Sequence, residues 1–312
     1  MLALRAISPS DLTPRLLDVL TGHPGATNVV LLPRAAVDPP GDLVLADIAR
    51  EATSEVVEAV RALPGGRSCS LALETIDTSL SEQADRAERE APGLGIDAVV
   101  WEEVEARTSE ESALSGSFLT LLVIAVLLAT VGLLVDSAIL VIGAMVVGPE
   151  FGAVAGVTVA VVTRQWELGR RSLRALAVGF PLAVVAAYLL TLAVAGTVGL
   201  PAAYSGPRPA TGFVHQPDAF TVVVALLAGV AGVVSLTSTK SAGLVGVAVS
   251  VTTVPAAAGI GVAAAVGRWG ECLGSVVQLT VNLVALVLAG VLTLTIRRAL
   301  SHRARRAATA GS

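Results

Sequence analysis

The sequence predicts an α-helical polytopic membrane protein with a small α+β domain at its N-terminus. Of its 312 residues, 54% are hydrophobic and 15% are charged, and the mean hydropathy is +0.77, which is typical of a membrane protein. The N-terminal part, by contrast, contains no apolar run long enough to span a bilayer. We therefore predict a soluble domain at 1–80, a charged linker with a juxtamembrane helix at 81–116, a membrane domain at 117–297 and a basic cytoplasmic tail at 298–312.

The N-terminal domain shows the pattern of a ferredoxin-like fold. Its apolar residues recur at the spacing of strands in four segments and at the spacing of helices in two others. The turn signal Asp38-Pro39-Pro40-Gly41 joins the second and third strands. The resulting order βαββαβ is that of a small sheet with two helices on one face. The predicted strands are 2–7, 28–32, 42–46 and 69–76. The first predicted helix begins at Ser10 or Asp11, and the second covers 51–63.

A long apolar segment at 136–163 is the central feature of the membrane domain. As a helix it would be roughly 40 Å long, more than the ~30 Å of a hydrocarbon core. Gly148, Pro149 and Glu150 interrupt it, and the proline removes a backbone donor and disfavours the preceding turn, so we expect a break there. Ionisable residues within membrane segments usually mark function.

The same arrangement recurs at 240–266, with Pro255 at its middle. Aligning Pro149 with Pro255 brings Trp166 within three residues of the position of Trp269, and the sequence WELGRRS resembles WGECLGS. Because each predicted repeat has three spans, the second enters from the opposite side, and the sequence predicts two inverted repeats at 117–198 and 220–296 with broken second helices. The six predicted spans are 117–134, 137–162, 173–198, 220–236, 241–266 and 273–296.

Arginines cluster between the second and third spans and after the sixth. By the positive-inside rule, both termini are expected to be cytoplasmic in a multi-pass protein of the cell membrane. The lipid bilayer is therefore an expected partner, and a homo-oligomer is also expected. The net charge of -4 argues against nucleic acid as a partner.

The membrane domain resembles a known family. The run GLLVDSAILVIGAMVVGP (132–149), the run LVGVAVSVTTVP (244–255) and the run LTVNLVALVLAG (279–290) are similar to the domain of unknown function 389 family, also called the uncharacterised hydrophobic domain. Family members usually continue with Pro-Leu-x-x-Pro and carry Pro-Pro in the second half. Here GPEFG and Val254-Pro255-Ala256 replace them, so no family-wide role is assigned to Glu150. The resemblance implies an architecture and no substrate.

Polar residues near the two prolines and at the helix tips are the candidate solute-binding residues. Interrupted helices expose backbone carbonyls and amides that hold ions or small polar solutes, whereas serines and threonines also serve as packing contacts between helices. Charges at helix tips likewise suit either an entrance or the membrane interface. The candidates are Asp136, Ser137, Pro149, Glu150, Lys240, Ser241, Thr252, Thr253, Pro255 and Asn282.

These patterns predict a transporter or channel for a small ion or polar solute, with its pathway at the two interrupted helices and the cytoplasmic domain as a regulator. The alternative is a membrane-anchored sensor or scaffold oligomer whose soluble domain binds a ligand or partner without transport. An enzyme is not expected, because no Ser-His, Asp-Asp or HExxH constellation is found. With two cysteines and three scattered histidines, no metal site, cofactor or catalytic residue is predicted.

Overall fold

The computed structural model describes residues 1–76, 78–91, 99–215, 218–237 and 242–310, and within these the side chains at 67, 213, 242–252 and 301–310 are left undescribed. The chain divides into two compact units. One unit comprises Met1–Glu103 with Arg297–Ser312, and the other comprises Val104–Ile296. We refer to them as the soluble unit, after the sequence prediction, and the helical unit.

The soluble unit contains a four-stranded antiparallel sheet with the strand order β2-β3-β1-β4. The order βαββαβ agrees with the sequence prediction, although the second and third strands are longer than predicted. A further helix, α3 (Glu82–Glu90), follows the last strand. The elements are β1 (Leu2–Ser8), α1 (Thr13–Thr21), β2 (Ala26–Val37), β3 (Pro40–Ile48), α2 (Thr53–Ala62) and β4 (Ser70–Thr75).

One face of this sheet and both helices form the core of the soluble unit. Alternate residues of β1 are buried while those between them are more exposed, as a strand covered on one face requires. The helices contribute residues spaced three or four apart. The buried core includes Leu4 and Ala6 of β1, Val44 and Ile48 of β3, Leu16 and Leu20 of α1, and Val56 and Val60 of α2.

The helical unit begins within α4 (Trp101–Glu111) and ends within α12 (Trp269–Ala310). The helices between them are mostly long and apolar. They are α5 (Gly116–Leu134), α6 (Ala138–Val147), α7 (Glu150–Thr163), α8 (Trp166–Thr197), the short α9 (Ala202–Ser205), α10 (Ala219–Leu236) and α11 (Ala242–Ala265).

Four helices of the described part are long and apolar enough to cross a membrane, namely α5, α8, α10 and α12 up to Leu300. Together, α6 and α7 pass the same test as one span that is bent by 56°, which makes five. The helix α11 lies at the position of the fifth predicted span, and its side chains are described from Thr253 onward. The six-span arrangement remains a prediction.

The first predicted helix break is confirmed and the second is wrong. The break between α6 and α7 lies at Gly148 and Pro149, where Gly148 adopts an extended conformation that suits the residue before a proline. In contrast, α11 continues through Pro255. No glycine precedes Pro255, and small residues surround it: Val254 and Ala256 to Ala258 are buried. Packing of this kind lets membrane helices retain a proline.

Structural features of α5–α8 recur in α10–α12 at a spacing of 103 residues, the spacing that separates Trp166 from Trp269. This register differs by three residues from the alignment of the two prolines. The helices α5 and α10 each begin with a side-chain cap. The helices α8 and α12 each follow a residue with positive φ. The paired positions are the caps Ser115 and Asp218, the positive-φ residues Arg164 and Gly267, and the first residues of α8 and α12.

The helices α5 and α10 run in opposite directions. Leu133, near the end of α5, shares a small cavity with Val214, which lies shortly before α10. Phe118, at the start of α5, lines a cleft with Phe151, and Phe151 also lies in a pocket with Leu236, the last residue of α10. The start of α5 and the end of α10 are therefore at the same end of the helical unit.

Candidate functional site

The candidate site is centred on the break between α6 and α7. Pro149 is the N-cap of α7, and Glu150 is the first residue of that helix. The N-terminus of a helix carries a partial positive charge and backbone N–H groups without partners in the helix. The break therefore places a carboxyl group and a helix N-terminus at one point inside the helical unit.

Glu150 is joined to α11 by a short hydrogen bond. The hydroxyl group of Thr253 donates to Glu150 Oε1 at 2.7 Å, and both residues are fully buried, with 0% exposure. The two residues are 103 positions apart, the same spacing that separates Trp166 from Trp269. The structure thus brings together three of the predicted site residues, Pro149, Glu150 and Thr253, although the sequence alignment had paired Pro149 with Pro255.

An open cleft of about 340 Å³ lies beside the break. Gly148 and Pro149 line it together with Glu110 and Glu111 at the end of α4. The Glu111 carboxylate accepts a hydrogen bond from Arg107 Nε at 3.0 Å. The backbones approach closely here, since a Cβ atom on Gly152 would lie 2.8 Å from the Glu111 carbonyl oxygen. The sequence had assigned these glutamates to a solvated linker, and their charge gave no sign of a cleft.

The other predicted residues are not brought to this point by any described contact. Asp136 lies at the opposite end of α6, where its carboxylate accepts hydrogen bonds from Thr211 Oγ1 at 2.8 Å and Ala210 N at 3.4 Å. The helix N-cap at this tip is Ser137, which accepts from Leu140 N. Asn282 is buried on α12. Lys240 and Ser241 lie outside the described residues, as does the side chain of Thr252.

A second polar cluster lies between the segment before α10 and the start of α12. The carboxylate of Glu271 forms ion pairs with Arg208 at 2.7 Å and Arg268 at 3.2 Å. Both guanidinium groups also lie against the Tyr204 ring, with distances of 4.7 and 4.8 Å from Cζ to the ring centroid, which is the geometry of a cation–π contact. We call Tyr204, Arg208, Arg268 and Glu271 the latch. No local sequence pattern reveals it, because its members come from separate segments.

The latch covers a small cavity of about 10 Å³, the space needed for about one water molecule. His215 and Ser275 line it. Ser275 is fully buried, and its hydroxyl group has no hydrogen-bond partner within the described part of the chain. Burial lowers the pKa of His215, an effect that Glu271 opposes and that Arg208 and Arg268 reinforce. Burial likewise raises the pKa of the Tyr204 hydroxyl.

Reciprocal contacts connect the two halves of the helical unit. A Cβ atom on Gly261 of α11 would lie 2.6 Å from Ala187 Cβ of α8. The equivalent contact joins α7 to α12, since a Cβ atom on Gly290 would lie 2.8 Å from Thr158 Cγ2. Thr158 precedes Gly261 by 103 residues, and Ala187 precedes Gly290 by the same number. The two contacts are therefore related by the spacing of 103 residues.

Among the described residues, no group of three or more His, Cys, Asp and Glu side chains is placed to hold a metal ion. At the helix break the Thr253 hydroxyl group is hydrogen-bonded to the Glu150 carboxyl group, and the latch is built from ion pairs and cation–π contacts. The chemistry that these groups offer is hydrogen bonding and ion pairing with a small polar species.

Comparison with known proteins supports the family resemblance. Residues 145–288 match the family model described as Domain of unknown function (DUF389). The match begins at Met145, after most of the string 132–149 that first indicated the resemblance, and it includes α7, Glu150 and Thr253. No curated protein and no solved structure matches the chain significantly. The comparison therefore supports the resemblance of the chain to the family of domain of unknown function 389 over residues 145–288.

Proposed function

We propose that this protein is a transporter or channel of the cell membrane for a small ion or polar solute, and that the pathway passes the break between α6 and α7. The helical unit would consist of two inverted three-helix repeats, and the soluble unit would regulate it. Both termini would be cytoplasmic, in agreement with the arginines at 164, 170, 171 and 174 and after 296. Assembly into a homo-oligomer remains part of the proposal.

The observation that carries this proposal is the contact between equivalent positions. When two similar units are related by a two-fold axis, residue i of one contacts residue j of the other and the reverse contact also exists. Gly261 with Ala187 and Thr158 with Gly290 form such a pair. Glu150 and Thr253 are equivalent residues in direct contact, which occurs only beside the axis. Since α5 and α10 are antiparallel, an axis in the membrane plane is favoured.

Inverted repeats commonly hold their solute where discontinuous helices meet at the repeat interface. Here the α6–α7 break, the buried Glu150–Thr253 pair and the adjacent cleft lie together. A non-helical backbone inside a membrane protein is tolerated where it is covered by protein or lines a water-filled cavity, and Gly148 and Pro149 line the cleft. Water access to the break is therefore the property that separates transport from a scaffold role.

Thiol labelling tests this access. Single cysteines would be introduced as Gly148→Cys and Val254→Cys after replacement of Cys69 and Cys272 by serine, and the protein would be labelled in lipid nanodiscs with a membrane-impermeant reagent. Gly148→Cys should react because it lines the cleft, whereas Val254→Cys should be slow because Val254 is fully buried. Protection of Gly148→Cys would rule out a pathway here and direct attention to the soluble unit.

Flux is measured separately in proteoliposomes with radioactive sodium, rubidium and chloride. Uptake above protein-free liposomes that changes in Glu150→Gln would support the proposal. Glu167→Gln is the matched control, because Glu167 is an exposed carboxylate at the start of α8 that pairs with Arg170 and Arg171. Equal uptake by the wild type and Glu150→Gln would dismiss Glu150 as a solute ligand.

A further inference from the structure

The segment before each half of the helical unit packs in an equivalent way. Gly156 of α7 lies against Ser172 and Ser112, so that a Cβ atom there would collide with the Ser172 hydroxyl group. Gly259 of α11 lies against Ser275 and Val214, with 2.7 Å from a Cβ atom to Ser275 Oγ. Gly156 and Gly259, and likewise Ser172 and Ser275, are separated by 103 residues. We call residues 104–112 the first arm and residues 204–215 the second arm.

The two arms differ in what they leave open. The first arm borders the cleft of about 340 Å³ beside Gly148 and Pro149. The second arm closes its own side down to the cavity of about 10 Å³. Among the described cavities, the one beside the first arm is therefore much larger than the one beneath the second arm.

The sequence explains this asymmetry. The latch joins Arg208 on the second arm to Glu271 on α12, and Glu271 also holds Arg268. The equivalent positions of the first half are Glu105, Gln165 and Leu168. A glutamate, a glutamine and a leucine form no ion pair with one another, so the ion pairs of the latch have no counterpart at these three positions. An alternating closure of the two ends would therefore be biased toward the state in which the second arm is shut.

The latch also has the burial that makes an ion pair effective. The side chains of Arg208 and Glu271 are 11% and 23% exposed, whereas those of Glu167 and Arg170 are 57% and 59% exposed. Exposed pairs contribute little because water screens them. Breaking a buried pair by removing one partner costs more, since the remaining charge loses its compensation.

We propose that the latch is the closed gate of the solute pathway at the end of the helical unit opposite the cleft. The cavity beneath it is lined by Gly259 and Val262, and Gly259 lies six residues beyond Thr253 on α11, about 9 Å along the helix. Opening the latch would extend this cavity along α11 toward the Glu150–Thr253 pair. The buried Ser275 hydroxyl group would then gain water as its missing partner. This inference rests on the proposed transport function.

The test uses Ser275→Cys in the background that lacks Cys69 and Cys272, labelled in nanodiscs with a membrane-impermeant thiol reagent. Nanodiscs expose both membrane faces, so the result does not depend on the orientation of the protein. Glu271→Gln should increase the labelling rate about tenfold. This factor corresponds to a loss of ~1.4 kcal/mol in the free energy that favours the closed latch over the open one. Arg208→Gln should act in the same direction because it removes the link to the second arm while leaving Arg268 with Glu271.

Two controls separate gating from general loosening. Glu167→Gln also removes a carboxylate between two arginines, and it should leave the labelling of Ser275→Cys unchanged. Ser172→Cys, the equivalent position of the first half, should not respond to Glu271→Gln. Size-exclusion elution of each variant reports whether the protein is intact, and Arg208→Gln serves in place of Glu271→Gln should the latter not fold.

Unchanged labelling of Ser275→Cys in an intact Glu271→Gln or Arg208→Gln variant would overturn the gate. Faster labelling at Ser172→Cys as well would also overturn it, because that outcome indicates loosening of the whole unit. The tracer uptake of the same variants is then compared. Faster labelling together with faster uptake supports the gate. Faster labelling without any uptake counts against the proposed transport function but not against opening of the latch. Uptake with unchanged labelling counts only against the role of the latch.

Discussion

The hydrogen bond between Thr253 and Glu150 allows a quantitative test of the contact between the two halves. Thr253→Val keeps the shape of the side chain and removes the hydroxyl group that donates to Glu150 Oε1 at 2.7 Å. Loss of one partner of a buried acceptor costs about 1–3 kcal/mol. For a unit of the size of Val104–Ile296, each kcal/mol lowers the melting temperature by about 2–4 °C.

The assay is thermal unfolding of purified protein in detergent, with Thr130→Val as the matched control. Thr130 is also fully buried, but its hydroxyl group donates only to the Val126 carbonyl of its own helix, at 2.8 Å. Thr253→Val should therefore lower the melting temperature clearly more than Thr130→Val. A double-mutant cycle with Glu150→Leu isolates the pairwise contribution. If Thr253→Val costs the same in the wild type and in the Glu150→Leu background, the contact does not join the halves and the argument from equivalent positions fails.

Two further predictions concern the glycine contacts and the latch. Gly156→Ala and Gly259→Ala should each destabilise the protein by about 1–3 kcal/mol through overpacking. Gly143→Ala is the control and should not destabilise it, because a Cβ atom there meets nothing within 4 Å. Equal melting temperatures for the three variants would contradict the close packing at Gly156 and Gly259. Burial lowers the pKa of His215 from its ordinary value of 6.5, so His215 binds a proton more weakly when the latch is closed than when it is open. Protonation therefore favours the open latch, and labelling of Ser275→Cys should accelerate as the pH falls below about 6.5, relative to the same protein with His215→Gln. Identical pH profiles with and without His215→Gln would refute this.

The elements that depend on local sequence were predicted well. The βαββαβ order follows from alternating and helical periodicity, as in β1, where Leu2, Leu4 and Ala6 are buried. The α6–α7 break follows from a glycine next to a proline. Pro255 shows the limit of such rules, because the residues that pack around a proline decide whether the helix continues through it.

The site was predicted only in part for the same reason. Pro149, Glu150 and Thr253 were selected because interrupted apolar segments draw attention to polar residues within them. The latch was missed, since Tyr204, Arg208 and Glu271 look like ordinary loop and helix-end residues until the fold joins them. Glu110 and Glu111 were assigned to a linker because a run of charges usually indicates a solvated surface. Their position beside the cleft depends on how α4 packs against Gly152.

The composition of the Glu150–Thr253 pair follows from its position. At a two-fold axis, equivalent residues are forced into contact, so a glutamate in both halves would place two carboxyl groups within hydrogen-bond distance. Two carboxylates that share a buried site repel each other, and one of them must remain protonated. A threonine in one half removes this conflict, because its hydroxyl group donates to the glutamate of the other half. With a threonine at position 253, the pair contains a single carboxyl group, that of Glu150. Thr253→Glu should consequently destabilise the protein more than Thr253→Val, and equal melting temperatures for these two variants would place the axis elsewhere.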